Sequence, residues 1–154
     1  ALVLADRVAV MNAGEIVQYD TGQAVYRNPN STFIADFIGD ANIVDVVCRP
    51  EGVTLAGQAV ASTSAISLTA GTIYKGVLRP EEIFLSPDGI EGHVNALSCT
   101  VMEAIFSGGT TQLLLDLGHD MNLRCNCSHT GALPVAGQRV KVYFSVSALR
   151  LMEE

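Results

Sequence analysis

The sequence predicts a mainly β chain: a small barrel or sandwich preceded by a β-hairpin and two short helices. Three observations predict it. From Ile43 onward, apolar residues fall in short runs of roughly five to seven, the usual strand length. Gly-centred turn signals separate those runs. Val, Gly, Thr and Ser are plentiful while Trp is absent, a composition suited to strands and tight turns. The chain has 154 residues and an apolar fraction of 49%, enough for a packed core in one domain or one domain with an appendage.

The elements follow in order. Residues 1–5 are apolar and read as the last turn of a helix that begins before this sequence. Arg7–Asn12 and Glu15–Tyr19 form a hairpin about Asn12-Ala13-Gly14. The first strand is apolar on both faces and so expects cover on both. Without a parent sheet, the hairpin is expected to pair with a second copy or pack on the barrel. Thr21 caps a short helix that runs through Tyr26, and Asn28-Pro29 breaks it. Asn30 or Ser31 caps a second helix, where Phe33/Phe37 and Ile34/Ile38 give one apolar face. Gly39 is expected to end it in the left-handed conformation common at helix C-termini. Strands are then expected at Val44–Arg49, Val53–Leu55, Ala65–Leu68, Thr72–Leu78, Ile83–Ser86, His93–Ile105, Thr111–Leu117, Asn122–Cys127 and Arg139–Val146. The long strand ending at Gly108-Gly109 suits a barrel strand that bends sharply at a corner.

Charge and cysteine usage limit the function classes. A net charge of −7 without clustered Lys or Arg gives no nucleic-acid surface and no electrostatic docking on anionic lipid. No apolar run approaches the roughly 20 residues of a membrane-spanning helix. The four cysteines, Cys48, Cys99, Cys125 and Cys127, read as reduced thiols.

Tempting motifs give no catalytic residue. Phe106-Ser107-Gly108-Gly109-Thr110 imitates an ATPase signature, but the following Thr111–Leu117 reads as a strand, so it is a turn. Cys125-x-Cys127-x-His129, with His119 near, has soft-metal character. Its spacing is too close for a usual four-ligand zinc site, and it reads as a pair of buried thiols. Glu103, Asp116 and Asp120 read as surface carboxylates, and Ser128-His129-Thr130 lacks a nucleophile elbow. No catalytic, metal or cofactor-binding residue is expected.

The segment Ala5-Asp6-Arg7-Val8-Ala9-Val10-Met11-Asn12-Ala13-Gly14-Glu15-Ile16-Val17-Gln18, with Tyr26-Arg27-Asn28-Pro29 and Phe33–Asn42, resembles the end of the ATP-binding subunit of an ABC importer. The remainder resembles its regulatory TOBE (transport-associated OB) domain: Leu78-Arg79-Pro80-Glu81-Glu82-Ile83, then Val101–Thr110 with its Gly-Gly turn, then Gly137-Gln138-Arg139-Val140-Lys141-Val142 and Leu149-Arg150-Leu151. The resemblance covers nearly the whole chain.

It implies an OB-like barrel over residues 43–154 and an ATPase tail over residues 1–42. It also implies a non-catalytic regulatory and dimerisation role, with ATP and Mg2+ used only by a full-length parent. No phosphate loop or magnesium aspartate is present, and the switch histidine would precede Ala1. Expected partners are a second copy, membrane-spanning permease subunits, and a regulatory protein or small ligand, on the cytoplasmic side of the membrane. The residues singled out are Arg79, Pro80, Glu81, Gly108 and Gly109 as structural points, and Gly39 and Asn42 as the interdomain hinge. The alternative is an OB-type module that binds an oxyanion or metabolite near Ser107–Thr111.

Overall fold

The computed structural model describes residues 6–63, 67–127 and 133–152. Residues 1–5, residues 65 and 66 of one expected strand, and Ser128-His129-Thr130 lie outside them. The element order is β1 (Val8–Asn12), β2 (Glu15–Asp20), α1 (Gly22–Arg27), α2 (Thr32–Ile38), β3 (Asn42–Arg49), β4 (Gly52–Leu55), β5 (Gln58–Val60), β6 (Ile73–Leu78), a 3-10 turn (Pro80–Glu82), β7 (Val94–Ser107), β8 (Thr110–Gly118), β9 (Met121–Cys127), β10 (Arg139–Ser145) and β11 (Arg150–Met152). The chain is mainly β, as the sequence predicts.

Two antiparallel sheets enclose one core. One has the order β11-β6-β3-β4-β5 and the other β10-β7-β8-β9, while β1 and β2 form a separate pair. Period-two patterning drives this. In β3 the buried side chains are Asn42, Val44, Val46 and Cys48; in β8 they are Thr111, Leu113, Leu115 and Leu117. These apolar side chains meet Leu55, Leu97, Leu123, Val142 and Phe144 in the shared core.

The turns explain themselves locally. Ala13-Gly14, Ala56-Gly57 and His119-Asp120 are two-residue hairpin turns with positive φ at both positions, the type I′ pattern whose twist matches paired strands. At Gly108-Gly109 only the first residue has positive φ, at 64°, as a type II′ turn requires. Before this turn β7 carries a bulge between Val101 and Glu103, where Met102 adds one residue, and a bulge of this kind bends the strand that carries it. Before the bulge β7 pairs with β10, and after it chiefly with β8.

Three further expectations are corrected. Ser67 and Leu68 are not in a strand; the short neighbour of β4 is β5, joined by the Ala56-Gly57 turn. The expected strand at Ile83–Ser86 reduces to one bridge between Phe84 and Tyr143, because Pro80 commits the chain to a 3-10 turn. Gly39 ends α2 in extended rather than left-handed backbone, with φ of −177°. Its missing side chain serves a close approach, since a Cβ there would lie 3.2 Å from Cε2 of Tyr26.

The sheet corners are closed by side-chain amides acting as short lengths of backbone. Asn42 donates to the Arg124 carbonyl and accepts from the Arg124 N–H, at 2.9 and 2.8 Å, tying β3 to β9. Gln58 does the same to Ser98 at 2.9 and 2.8 Å, tying β5 to β7. Asn95 clips Ala61 with two bonds of 2.8 Å. A carboxamide presents one donor and one acceptor side by side, so each clip satisfies two backbone groups at a sheet edge.

Gly76, in the middle of β6, meets the core closely. A Cβ there would lie 3.0 Å from Val46, 3.1 Å from Leu149 and 3.2 Å from Val44. Gly76→Ala is expected to destabilise the chain by about 1–3 kcal/mol through overpacking. The readout is a lower denaturant midpoint with an unchanged slope.

Candidate functional site

The feature that joins the N-terminal segment to the barrel is Arg79. It follows β6, its side chain is among the most deeply buried in the chain, and it is only 1% exposed. Nη1 lies 2.8, 2.9 and 3.0 Å from the carbonyl oxygens of Ala35, Gly39 and Asp40, and Nη2 lies 3.0 Å from that of Tyr26. Tyr26 and Ala35 lie in the last turns of α1 and α2, where backbone acceptors lack a partner within the helix, and Gly39 and Asp40 follow α2 directly. Neither Thr32–Ile38 nor its cap supplies a basic residue, so the cation comes from the barrel. The guanidinium also lies over the Tyr26 ring, 4.3 Å from its centroid.

The rest of the Arg-Pro-Glu motif completes the joint. Pro80 is buried at the start of the 3-10 turn, where its absent N–H costs nothing. The Glu81 carboxylate accepts a hydrogen bond from the Tyr26 hydroxyl. Burial first, and then this bond, push the Tyr26 hydroxyl up to about 12. Beneath the joint Ala35, Ala41, Val77 and Met152 form a small apolar cluster. Asp40 and Ala41 also face Arg124, whose Nη2 donates to the Ala41 carbonyl at 3.2 Å.

The sequence-selected residues therefore divide. Gly39, Asn42, Arg79, Pro80 and Glu81 gather at one junction, where Asn42 is a fastening between β3 and β9. Gly108 and Gly109 lie apart, at the tip of the β7–β8 hairpin. Sequence reasoning missed Tyr26 as the ring and hydroxyl partner, and missed Gln58 and Asn95. The signal for Tyr26 was weak: an aromatic residue in the last turn of a short helix before Asn-Pro.

On the far side of the junction, β1 and β2 rest on the helices. Val10, Val25 and Ile34 form a second small cluster. The half that meets it is held by Gln18, which donates to the Asn28 carbonyl and accepts from the Asn30 N–H, at 3.1 and 2.8 Å. The apolar strand is thus covered on one face only. Met11, Ile16 and Tyr19 remain exposed, as do Phe33 and Phe37, whose rings stack 5.7 Å apart.

A model of the TOBE domain matches residues 76–152, half of the chain. The chain belongs to the TOBE domain family. The matched region begins within β6, immediately before Arg79, and runs to the last described strand. The spermidine/putrescine import ATP-binding protein of Borreliella afzelii is 38% identical over 76% of this chain and 33% of its own length. The sulfate/thiosulfate import ATP-binding protein of Chromobacterium violaceum is 37% identical over 75% of this chain and 31% of its own. The Fe(3+) ions import ATP-binding protein of Pectobacterium atrosepticum is 32% identical over 83% of this chain and 35% of its own. The chain spans about a third of the length of these relatives. A solved structure of the cytoplasmic molybdate-binding protein ModG aligns over 75% of this chain and 96% of that one, at 12% identity and a TM-score of 0.49.

Two variants test the junction of this TOBE domain. Arg79→Met leaves four carbonyls without their charged donor and is expected to cost about 3 kcal/mol or more, with Arg79→Lys intermediate. Hydrogen exchange should then show residues 24–42 losing protection before the barrel strands do. Tyr26→Phe tests the hydroxyl. Its raised folded-state value means the unfolded chain ionises first, so the stability it contributes is present below pH 10 and lost as pH rises from 10 towards about 12. Removing the hydroxyl should flatten the alkaline side of the stability curve over that window, measured by chemical denaturation at a series of pH values.

Proposed function

We propose that this TOBE-family chain is the regulatory and dimerisation end of the ATP-binding subunit of an ABC-type solute importer, and is itself non-catalytic. The observation that carries the reading is the Arg79 junction. It ties a segment like the tail of an ATPase domain to a TOBE barrel through buried, charge-assisted hydrogen bonds. A joint of that kind passes a displacement of the helices to the barrel rather than absorbing it. Regulation then follows from any partner or ligand that favours one position of the joined pair over another.

In a full-length parent, ATP and Mg2+ would be bound by the ATPase half, next to membrane-spanning permease subunits on the cytoplasmic face. The uncovered faces at Met11, Ile16 and Tyr19 and at Phe33 and Phe37 are where that half would rest. The solute is left open, because relatives of similar identity carry the names of polyamine, sulfate and iron importers.

The competing reading is an oxyanion- or metabolite-binding module near Ser107–Thr111. Thr110 does line a groove there, but Glu81 and Asp88 line it too, and among the described residues no Lys or Arg does. Carboxylates facing an anion without a compensating cation are unfavourable.

The experiment is light scattering of the chain across a dilution series, alongside an ATP turnover assay. A dimer that persists at low micromolar concentration and turnover at background support the proposal. A clean monomer removes the dimerisation role, and turnover above background overturns the non-catalytic one.

A further inference from the structure

Two thiols on β9 take no part in the junction. Cys125 and Cys127 alternate onto the same face, and their sulfurs lie 3.6 Å apart. Cys125 is fully buried, with its sulfur 3.2 Å from the Ile83 carbonyl. Cys127 lines a groove of about 570 Å³ whose walls include Ile83, Phe84 and Leu85. Opposite Cys127 in the ladder stands Thr111, whose buried hydroxyl oxygen has no hydrogen-bond partner among the described residues.

We propose that Cys125 and Cys127 form a dithiol site for a thiophilic centre that brings one substituent of its own, a monosubstituted trivalent arsenical. The sulfur separation carries the argument. Two sulfurs 3.6 Å apart reach one centre through bonds of about 2.3 Å at an angle near 100°, the bent geometry of a pyramidal three-coordinate atom. A linear two-coordinate ion would need the sulfurs about 4.6 Å apart at the same bond length. A four-coordinate metal needs further protein ligands, and among the described residues no group of three or more His, Cys, Asp or Glu is placed to hold one. Here the third position is filled by the organic substituent, and the groove beside Ile83, Phe84 and Leu85 offers it an apolar wall. A disulfide is the less suitable product, since residues two apart on one extended strand hold their Cα atoms about 6.6 Å apart, near the upper limit for a bridge.

The reaction is a condensation without change of oxidation state. Both S–H protons leave with the oxygen of the arsenic oxide as water, and two As–S bonds form. Cys127 attacks first. The hydrogen bond from Cys125 lowers its thiol below the ordinary value, while that same bond and burial push the Cys125 thiol up. Cys99 is pushed up to about 11 by burial and stays inert in the native chain.

The probe is phenylarsine oxide, added to the native chain and then removed by desalting. Intact mass should show one phenylarsenic group. Titration after unfolding should find two free thiols instead of four, with peptide mapping placing the adduct on Cys125 and Cys127. A dithiol such as dimercaptopropanol should reverse it and glutathione should not. Cys127→Ser should abolish the adduct, whereas Cys48→Ser and Cys99→Ser should keep it. Four free thiols in the treated native chain, an adduct mapped elsewhere, or an adduct that survives Cys127→Ser would each overturn the site. The titration of the native chain decides the matter even where a variant does not fold.

Discussion

A guanidinium buried among backbone carbonyls organises this molecule. Among the described residues no carboxylate is in direct contact with Arg79; its charge is met by the carbonyl-bearing ends of two short helices and by an aromatic face. Burying a cation costs several kcal/mol unless its donors are satisfied, so this position tolerates little rearrangement. Several other choices follow from it. Gly39 has no side chain because the Tyr26 ring lies against it. Pro80 begins a turn that turns Glu81 towards Tyr26. Helices of six and seven residues are too short to be stable alone, and here the barrel supplies what their ends lack.

The barrel obeys a second constraint, the satisfaction of sheet edges. Its two sheets do not share a continuous ladder, so edge N–H and C=O groups need partners at the corners. Asn42, Gln58 and Asn95 provide them, each with two bonds to one segment of backbone. Gln18 repeats the device where the hairpin meets the loop between α1 and α2. A carboxamide in this position is neutral, so it closes an edge without the desolvation cost of an ion pair. The exposed ion pair between Asp45 and Lys75, directly opposite on β3 and β6, adds little by comparison.

The surfaces left open are unlike one another. The N-terminal segment shows apolar side chains that its own helices do not cover, and the β7–β8 hairpin shows Met102 at the bulge and Ile105 and Phe106 beyond it. The groove beside β9 is mixed, with apolar walls, two carboxylates and a thiol. A partner that buries the first pair of surfaces gains chiefly from apolar area, whereas recognition in the groove depends on sulfur chemistry.

What the sequence determined by itself was local. Alternation in β3, β8 and β9, the Gly-centred turns, the cap at Thr21, and a cap at Asn30 or Ser31 were all legible, because each depends on residues a few positions apart. The Arg-Pro-Glu motif was legible as a point of importance, though its purpose was not. Only the tertiary structure decided that Arg79 reaches across about forty to fifty residues of chain to four carbonyls, because a backbone acceptor looks the same at every position of a sequence. The same reason hid the amide clips, since an exposed Gln and one that closes a barrel read alike. The bulge at Met102 and the extended backbone at Gly39 were hidden for a related cause. Both are set by a neighbour in space, the changing strand partner of β7 in one case and the ring of Tyr26 in the other.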